Sequence, residues 1–81
     1  DEAIAVYKQL LAHRPDCSIS ITYNLACLFA LKNDPPSAVA WLKKSVAAGF
    51  SHYELLKIDR DLDNIRRFGC FEAFLNTVGQ K

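Results

Sequence analysis

Asp59, Asp61 and Asp63 alternate with other residues in the D-x-D-x-D spacing that opens a calcium loop, where alternate carboxylates converge on one cation. The remainder of such a loop is missing. Its sixth position is Asn64 where Gly is wanted, its twelfth is Cys70 where a bidentate Glu is wanted, and Arg66 and Arg67 intrude. Helix capping and contact with solvent are the expected uses of these carboxylates, and no metal site is expected. His13 and Cys17 stand four apart, with Glu2 the only acid near the same helix, a composition that could serve a metal or a thiol–imidazole nucleophile pair. Pro15 breaks the helix between them and spoils the shared face that this spacing requires. His52, one residue past Ser51, has no acid at a triad-like position. There is no Gly-rich phosphate loop, no G-x-S-x-G and no H-E-x-x-H, so the chain is expected to be no enzyme and to carry no cofactor.

Three cysteines, Cys17, Cys27 and Cys70, cannot all pair within the chain, and none has C-x-x-C spacing. A reducing compartment fits such usage, and Cys27, inside an apolar run, is expected to behave as a small buried hydrophobe. The N-terminus opens Asp1-Glu2 with no basic stretch and no apolar segment behind it; no leader peptide is expected, and the expected location is cytoplasmic.

The elements that carry these residues must come from 81 positions, enough for one domain that buries only ~60% of its unfolded surface. With 51% hydrophobic and 23% charged residues the composition is globular, and disorder is not expected. A net charge of +1, with Lys43-Lys44 and Arg66-Arg67 as the only basic doublets, argues against nucleic acid, which needs a concentrated basic face. The longest uncharged run, Cys17 to Leu31, falls short of the ~20 residues of a membrane span. It reads as a buried helix.

A shift of 35 residues superimposes two stretches of the chain. Ala3, Ile4, Val6, Tyr7, Leu10 and Leu11 fall on Ala38, Val39, Trp41, Leu42, Ser45 and Val46; Lys8 falls on Lys43 and Ala12 on Ala47. In each copy the apolar positions recur at i, i+3, i+4, i+7 and i+8, the stripe of an amphipathic helix. The first helix ends before Arg14-Pro15-Asp16. The second starts at Pro35-Pro36-Ser37 with Asp34 as cap and stops at Gly49. Between them a helix from about Ile19 to Lys32 is apolar on two sides, Thr22, Leu25, Ala26 and Phe29 on one and Ile21 and Leu28 on the other. It is expected to be sandwiched, with the short Asn33-Asp34-Pro35 link forcing antiparallel neighbours.

Tyr23-Asn24-Leu25-Ala26, Phe29, Asn33-Asp34, Ala38, Trp41-Leu42 and Ser45-Val46 follow the order of the tetratricopeptide repeat, which this chain resembles over residues 1 to 50. The spacing of 35, Thr22 for the usual Trp, Ala26 for the commoner Gly, Leu10 for a small residue and Phe50 for the closing Pro depart from the family pattern. The resemblance implies an all-α, antiparallel helix-turn-helix solenoid fragment in one domain. Residues 1–15 would be helix B of a partial repeat, 18–50 a full repeat, and 51–81 the following helix with a C-terminal cap. Small residues at Ala26, Ala38 and Ser45 would allow close helix approach. Ser51 to Ile58 is expected to form a short helix capped by Ser51 with Glu54 as its capping-box partner. Tyr53, Leu56 and Leu55 would dock on the preceding helix, and Phe50 would act as a staple. Asp61-Leu62 and then Phe71, Phe74, Leu75 and Val78 resemble the tail that closes many tetratricopeptide arrays with a capping helix.

The family's concave groove would fall on Ser20, Tyr23, Asn24, Cys27 and Leu31, joined by Glu54 and Lys57. The function this implies is a protein–protein interaction module that presents a groove or face to a peptide or protein. The alternative is a structural cap of a longer solenoid, or a homo-oligomerising unit, with no ligand of its own. Self-association is expected to involve Ile4, Tyr7 and Leu11, which would lack one covering helix.

Overall fold

The computed structural model describes residues 2–14 and 18–79. Its elements are α1 (Glu2–His13), α2 (Ser18–Leu31), α3 (Pro35–Ala48), α4 (Leu55–Ile58), a single 3-10 turn (Arg60–Leu62) and α5 (Gly69–Gly79). The described residues contain no strand, so the fold is all-α. The expected Pro15 break and Cys17 lie outside the described residues.

Both long interior helices end by the same backbone device. After α2, the Asn33 amide donates to the Ala30 carbonyl and the Asp34 amide to that of Phe29, each at 3.0 Å. After α3, the Gly49 amide donates to Val46 and the Phe50 amide to Ser45, again at 3.0 Å. Each pair satisfies the last carbonyls of its helix, with a left-handed residue at the turn: Asn33 at φ 60° and Gly49 at φ 122°. Asp34 then caps α3 through its side chain, accepting from the Ser37 amide at 3.4 Å.

The link is so short that α3 must fold back along α2. The Ser45 hydroxyl, near the end of α3, donates to the Ile19 carbonyl at the start of α2 at 3.0 Å, which fixes the pair as antiparallel. Ala26, Ala30, Ala38 and Ser45 are all 0% exposed. Small side chains at these positions let two helices close on each other, while Val39 and Leu42 fill the space around them. On its other side α2 receives α1, whose Ile4, Tyr7 and Leu11 pack against Ile21, Leu25, Leu28 and Phe29. The middle helix is therefore sandwiched, as its two apolar faces require. Trp41 lies partly buried between two cations, Lys44 Nζ at 4.3 Å from its ring centre and Lys8 Nζ at 5.9 Å.

α5 packs on α3 and buries Phe71, Phe74 and Val78 in the same core as Leu56, Leu62 and Ile65. Two expectations fail in detail. The helix expected over Ser51 to Ile58 shrinks to Leu55–Ile58, and Ser51 caps nothing, because residues 52–57 form tight i to i−3 turns instead. The apolar residues that α1 leaves exposed are Val6 and Leu10, since Ile4, Tyr7 and Leu11 are turned towards α2.

Candidate functional site

Ser20, Tyr23, Asn24, Cys27 and Leu31 occupy one stripe of α2, as residues three and four apart must. The segment beyond α3 determines which of them stay open. The backbone bond from Phe50 to Ser45 sets the Phe50 ring flat against Tyr23, with centroids 5.1 Å apart and planes 17° from parallel. Tyr53 and His52 meet Phe50 edge-on at 6.2 and 6.1 Å, so four rings form one cluster.

The Tyr23 hydroxyl donates to Asp59 Oδ2 at 2.6 Å, tying α2 to the far end of α4. Asp59 uses its other oxygen to accept from the Asp61 amide at 2.9 Å, which caps the 3-10 turn. Its carbonyl accepts from Arg66 Nη2 at 2.6 Å, and Arg66 Nη1 pairs with Asp63. One tyrosine, two aspartates and one arginine thus hold residues 59–66 against the helix pair. Burial, then the Asp59 hydrogen bond, pushes the Tyr23 phenol well above its ordinary value. Cys27 is buried beneath the same turn, its Sγ and carboxylate oxygens of Asp59 and Asp61 within 4.8 Å of one another. Its thiol is pushed up to about 12, first by burial and then by the Asp59 and Asp61 charges. At neutral pH it is a protonated, weakly nucleophilic thiol. Asp63 is no part of that group: Asp59 takes both the cap and the phenol, Asp61 turns its carboxylate to the Cys27 side, and Asp63 pairs with the Arg66 guanidinium.

Of the stripe, Ser20, Asn24 and Leu31 remain exposed, Tyr23 is half-buried and Cys27 is covered. Glu54 and Lys57 are exposed and sit elsewhere, on the rim of a cleft of about 490 Å³ between α4 and α5. Its apolar wall comes from Tyr53, Leu75 and Val78, and Glu72 and Asn76 complete the polar rim. A second depression of about 490 Å³ shares Tyr53 and Glu54 and is lined by His52, Leu55 and Ile58. Glu72, Leu75 and Asn76 are lining residues that sequence reasoning missed; the i, i+3, i+4 spacing from Glu72 was the signal for a shared face.

No family model matches the chain, and no solved structure matches it. A chloroplastic protein of Arabidopsis thaliana is 23% identical to it over 78 residues, which cover 93% of this chain. The chain spans 23% of the length of that relative. No helix among the described residues is long and apolar enough to cross a membrane.

Proposed function

We propose that this chain is a tetratricopeptide-like interaction module that docks a peptide segment of a protein partner in the cleft between α4 and α5. The observation that carries the reading is the cleft itself: an apolar wall of Tyr53, Leu75 and Val78 under a rim bearing both Glu54 and Lys57. Such a surface accepts one apolar anchor and orients it with charges of both signs. Support for the repeat comes from the antiparallel α2–α3 pair, closed on fully buried Ala26, Ala38 and Ser45. A reducing, cytoplasmic setting belongs to the same reading and agrees with free Cys27 and Cys70.

A second reading has its own observation. α5 lays Phe71, Phe74 and Val78 on the core shared with α3, the arrangement of a cap that closes a stack of helices without binding anything.

Selection of a displayed random-peptide library on the immobilised chain separates the two. An interaction module enriches peptides with an aliphatic or aromatic anchor beside charged residues, and Lys57→Glu combined with Glu54→Lys weakens them ~10-fold. Asn24→Ala leaves them unchanged. Failure to enrich any sequence favours the cap. Enriched peptides that lose affinity with Asn24→Ala and not with the charge reversal would move docking to the α2 stripe.

A further inference from the structure

Cys27 belongs to α2, and Asp59 and Asp61 belong to the turn that closes over it, yet Sγ and one carboxylate oxygen of each aspartate all lie within 4.8 Å of one another. What the group lacks is positive charge. Among the described residues neither Asp59 nor Asp61 forms an ion pair; Arg66, which reaches the same turn, gives its Nη groups to Asp63 and to the carbonyls of Leu56 and Asp59. The sulfur is equally unserved. Cys27 is 6% exposed, and its polar neighbour Tyr23 has a single hydroxyl proton, which goes to Asp59 Oδ2 at 2.6 Å. No hydrogen-bond donor among the described residues is left for Sγ. A buried, polarisable lone pair beside two carboxylates is costly as it stands, and it is the ordinary surrounding of a cation.

We infer that Cys27, Asp59 and Asp61 form a binding site for one divalent cation of zinc's borderline softness, with the Cys27 thiolate as its anchoring ligand. The donor set selects the metal. Calcium and magnesium take oxygen donors in larger numbers, whereas zinc accepts sulfur and carboxylate oxygen together in four-coordinate sites. Three protein donors leave the fourth position to water, on the side where Asp61 is exposed. Tetrahedral bonds of about 2.0–2.3 Å set donors about 3.3–3.8 Å apart, so the group contracts by about 1 Å at its widest, and exposed Asp61 is the member with room to move. Asp59 already accepts from the Tyr23 hydroxyl and the Asp61 amide. A carboxylate offers about four lone-pair sites, so both bonds persist and orient it as the outer shell of a metal site does. Entry of the ion breaks the S–H bond and forms a sulfur–metal bond, and the proton leaves to solvent. The two negative charges that hold that proton on Cys27 also favour the divalent ion that replaces it. The site is distinct from a calcium loop, since Asp63 is turned to Arg66, and it is separate from the cleft between α4 and α5.

Cobalt(II) is the probe, because a tetrahedral cobalt–thiolate bond gives a charge-transfer band that oxygen-only sites lack. Titrated into the reduced chain, it should give that band at one equivalent, unchanged when Cys17→Ser and Cys70→Ser are introduced together. Zinc should displace the cobalt, and the urea midpoint should rise with zinc concentration, as for any ligand of the folded state. Cys27→Ser should abolish the band. Asp61→Asn, at an exposed side chain whose loss leaves the core intact, should weaken zinc at least ~10-fold with no change in circular dichroism, and Asp63→Asn should leave binding as it is. The inference is overturned if millimolar cobalt gives no band, or if binding keeps its full affinity in Asp61→Asn. A band lost with Cys17→Ser and Cys70→Ser would assign the metal to those thiols, and calcium displacing cobalt as well as zinc does would make the site one of oxygen donors; either result refutes it.

Discussion

Ala38→Leu and Ala40→Leu are the same chemical change two residues apart, and the structure assigns them opposite outcomes. Ala38 is 0% exposed, in the core cluster with Ala26, Ala30 and Leu42, on the first turn of α3 where the Ala38 amide is bonded to the Asp34 carbonyl at 3.0 Å. Three added carbons have no space there, so either α3 lifts from α2 or neighbouring side chains leave their rotamers, at ~1–3 kcal/mol. The Ser45–Ile19 bond at the other end of the helix pair resists the lift. A domain of 81 residues holds roughly 4–12 kcal/mol in total, so the loss is a large share of it. With m of ~1 kcal/mol per M of urea, the midpoint should fall by about 1–3 M. Ala40 is exposed, Leu is nearly as good a helix former as Ala, and its midpoint should move by less than ~0.5 M. Urea unfolding followed at 222 nm reads both. Equal midpoints, or a larger loss at Ala40, would mean that α3 presents a different face to α2.

Three further outcomes rest on the interior contacts. Tyr23→Phe removes the donor to Asp59 Oδ2 and should cost ~1–2 kcal/mol; a double-mutant cycle with Asp59→Ala that shows no coupling would break the proposed tie. Cys27, pushed up to about 12, keeps a proton that the unfolded thiol gives up near ~8.5, so its contribution is intact below that pH and is lost as pH climbs towards 12. Urea midpoints from about pH 7 to about pH 10 should fall more steeply in the wild type than in Cys27→Ala, and parallel slopes would refute the assignment. Gly49→Ala puts a Cβ at φ +122° and 3.3 Å from Ile19 Cδ1, for a loss of ~1–3 kcal/mol in thermal or urea unfolding; an unchanged midpoint would mean that the turn after α3 relaxes freely.

The helices were legible wherever one physical signal sufficed. Period fixed α1, α2 and α3, Pro35 and Asp34 fixed the start of α3, and Gly49 its end. Asn33 was read only as a turn residue, though its positive φ completes the same carbonyl-satisfying bonds that Gly49 provides. The failure at Ser51 has a tertiary cause. Phe50 is held by its amide on Ser45 and its ring on Tyr23, and Tyr53 must reach back to Phe50 edge-on. A helix starting at Ser51 would have to satisfy those contacts as well as its own capping box, and the ring cluster prevails over a cap worth about 1 kcal/mol. The chain turns tightly through His52–Lys57 and becomes helical only once Tyr53 is placed.

The candidate site was harder to read because its decisive partner stands 36 residues from Tyr23. A stripe of Ser, Tyr, Asn, Cys and Leu on a helix looks the same whether a ligand or the chain's own later turn will cover it. Spacing says which residues share a face and nothing about what arrives there. Two chemical facts narrow the choice. A tyrosine that is buried needs an acceptor for its hydroxyl, and an alternating aspartate run that cannot close a calcium loop has carboxylate oxygens to offer. Asp59 joins these requirements: one oxygen caps its own turn and the other takes the phenol. Once that bond forms, Cys27 is sealed beneath it, and the face of α2 is left to Ser20, Asn24 and Leu31, flanking residues without an apolar floor. The same turn delivers α4 to the side of α5, where Tyr53, Leu75 and Val78 do supply one. The contact that withdraws Tyr23 from a partner therefore also builds the cleft in which a partner could rest, so loosening it with Tyr23→Phe should weaken peptide docking without any change to a cleft residue.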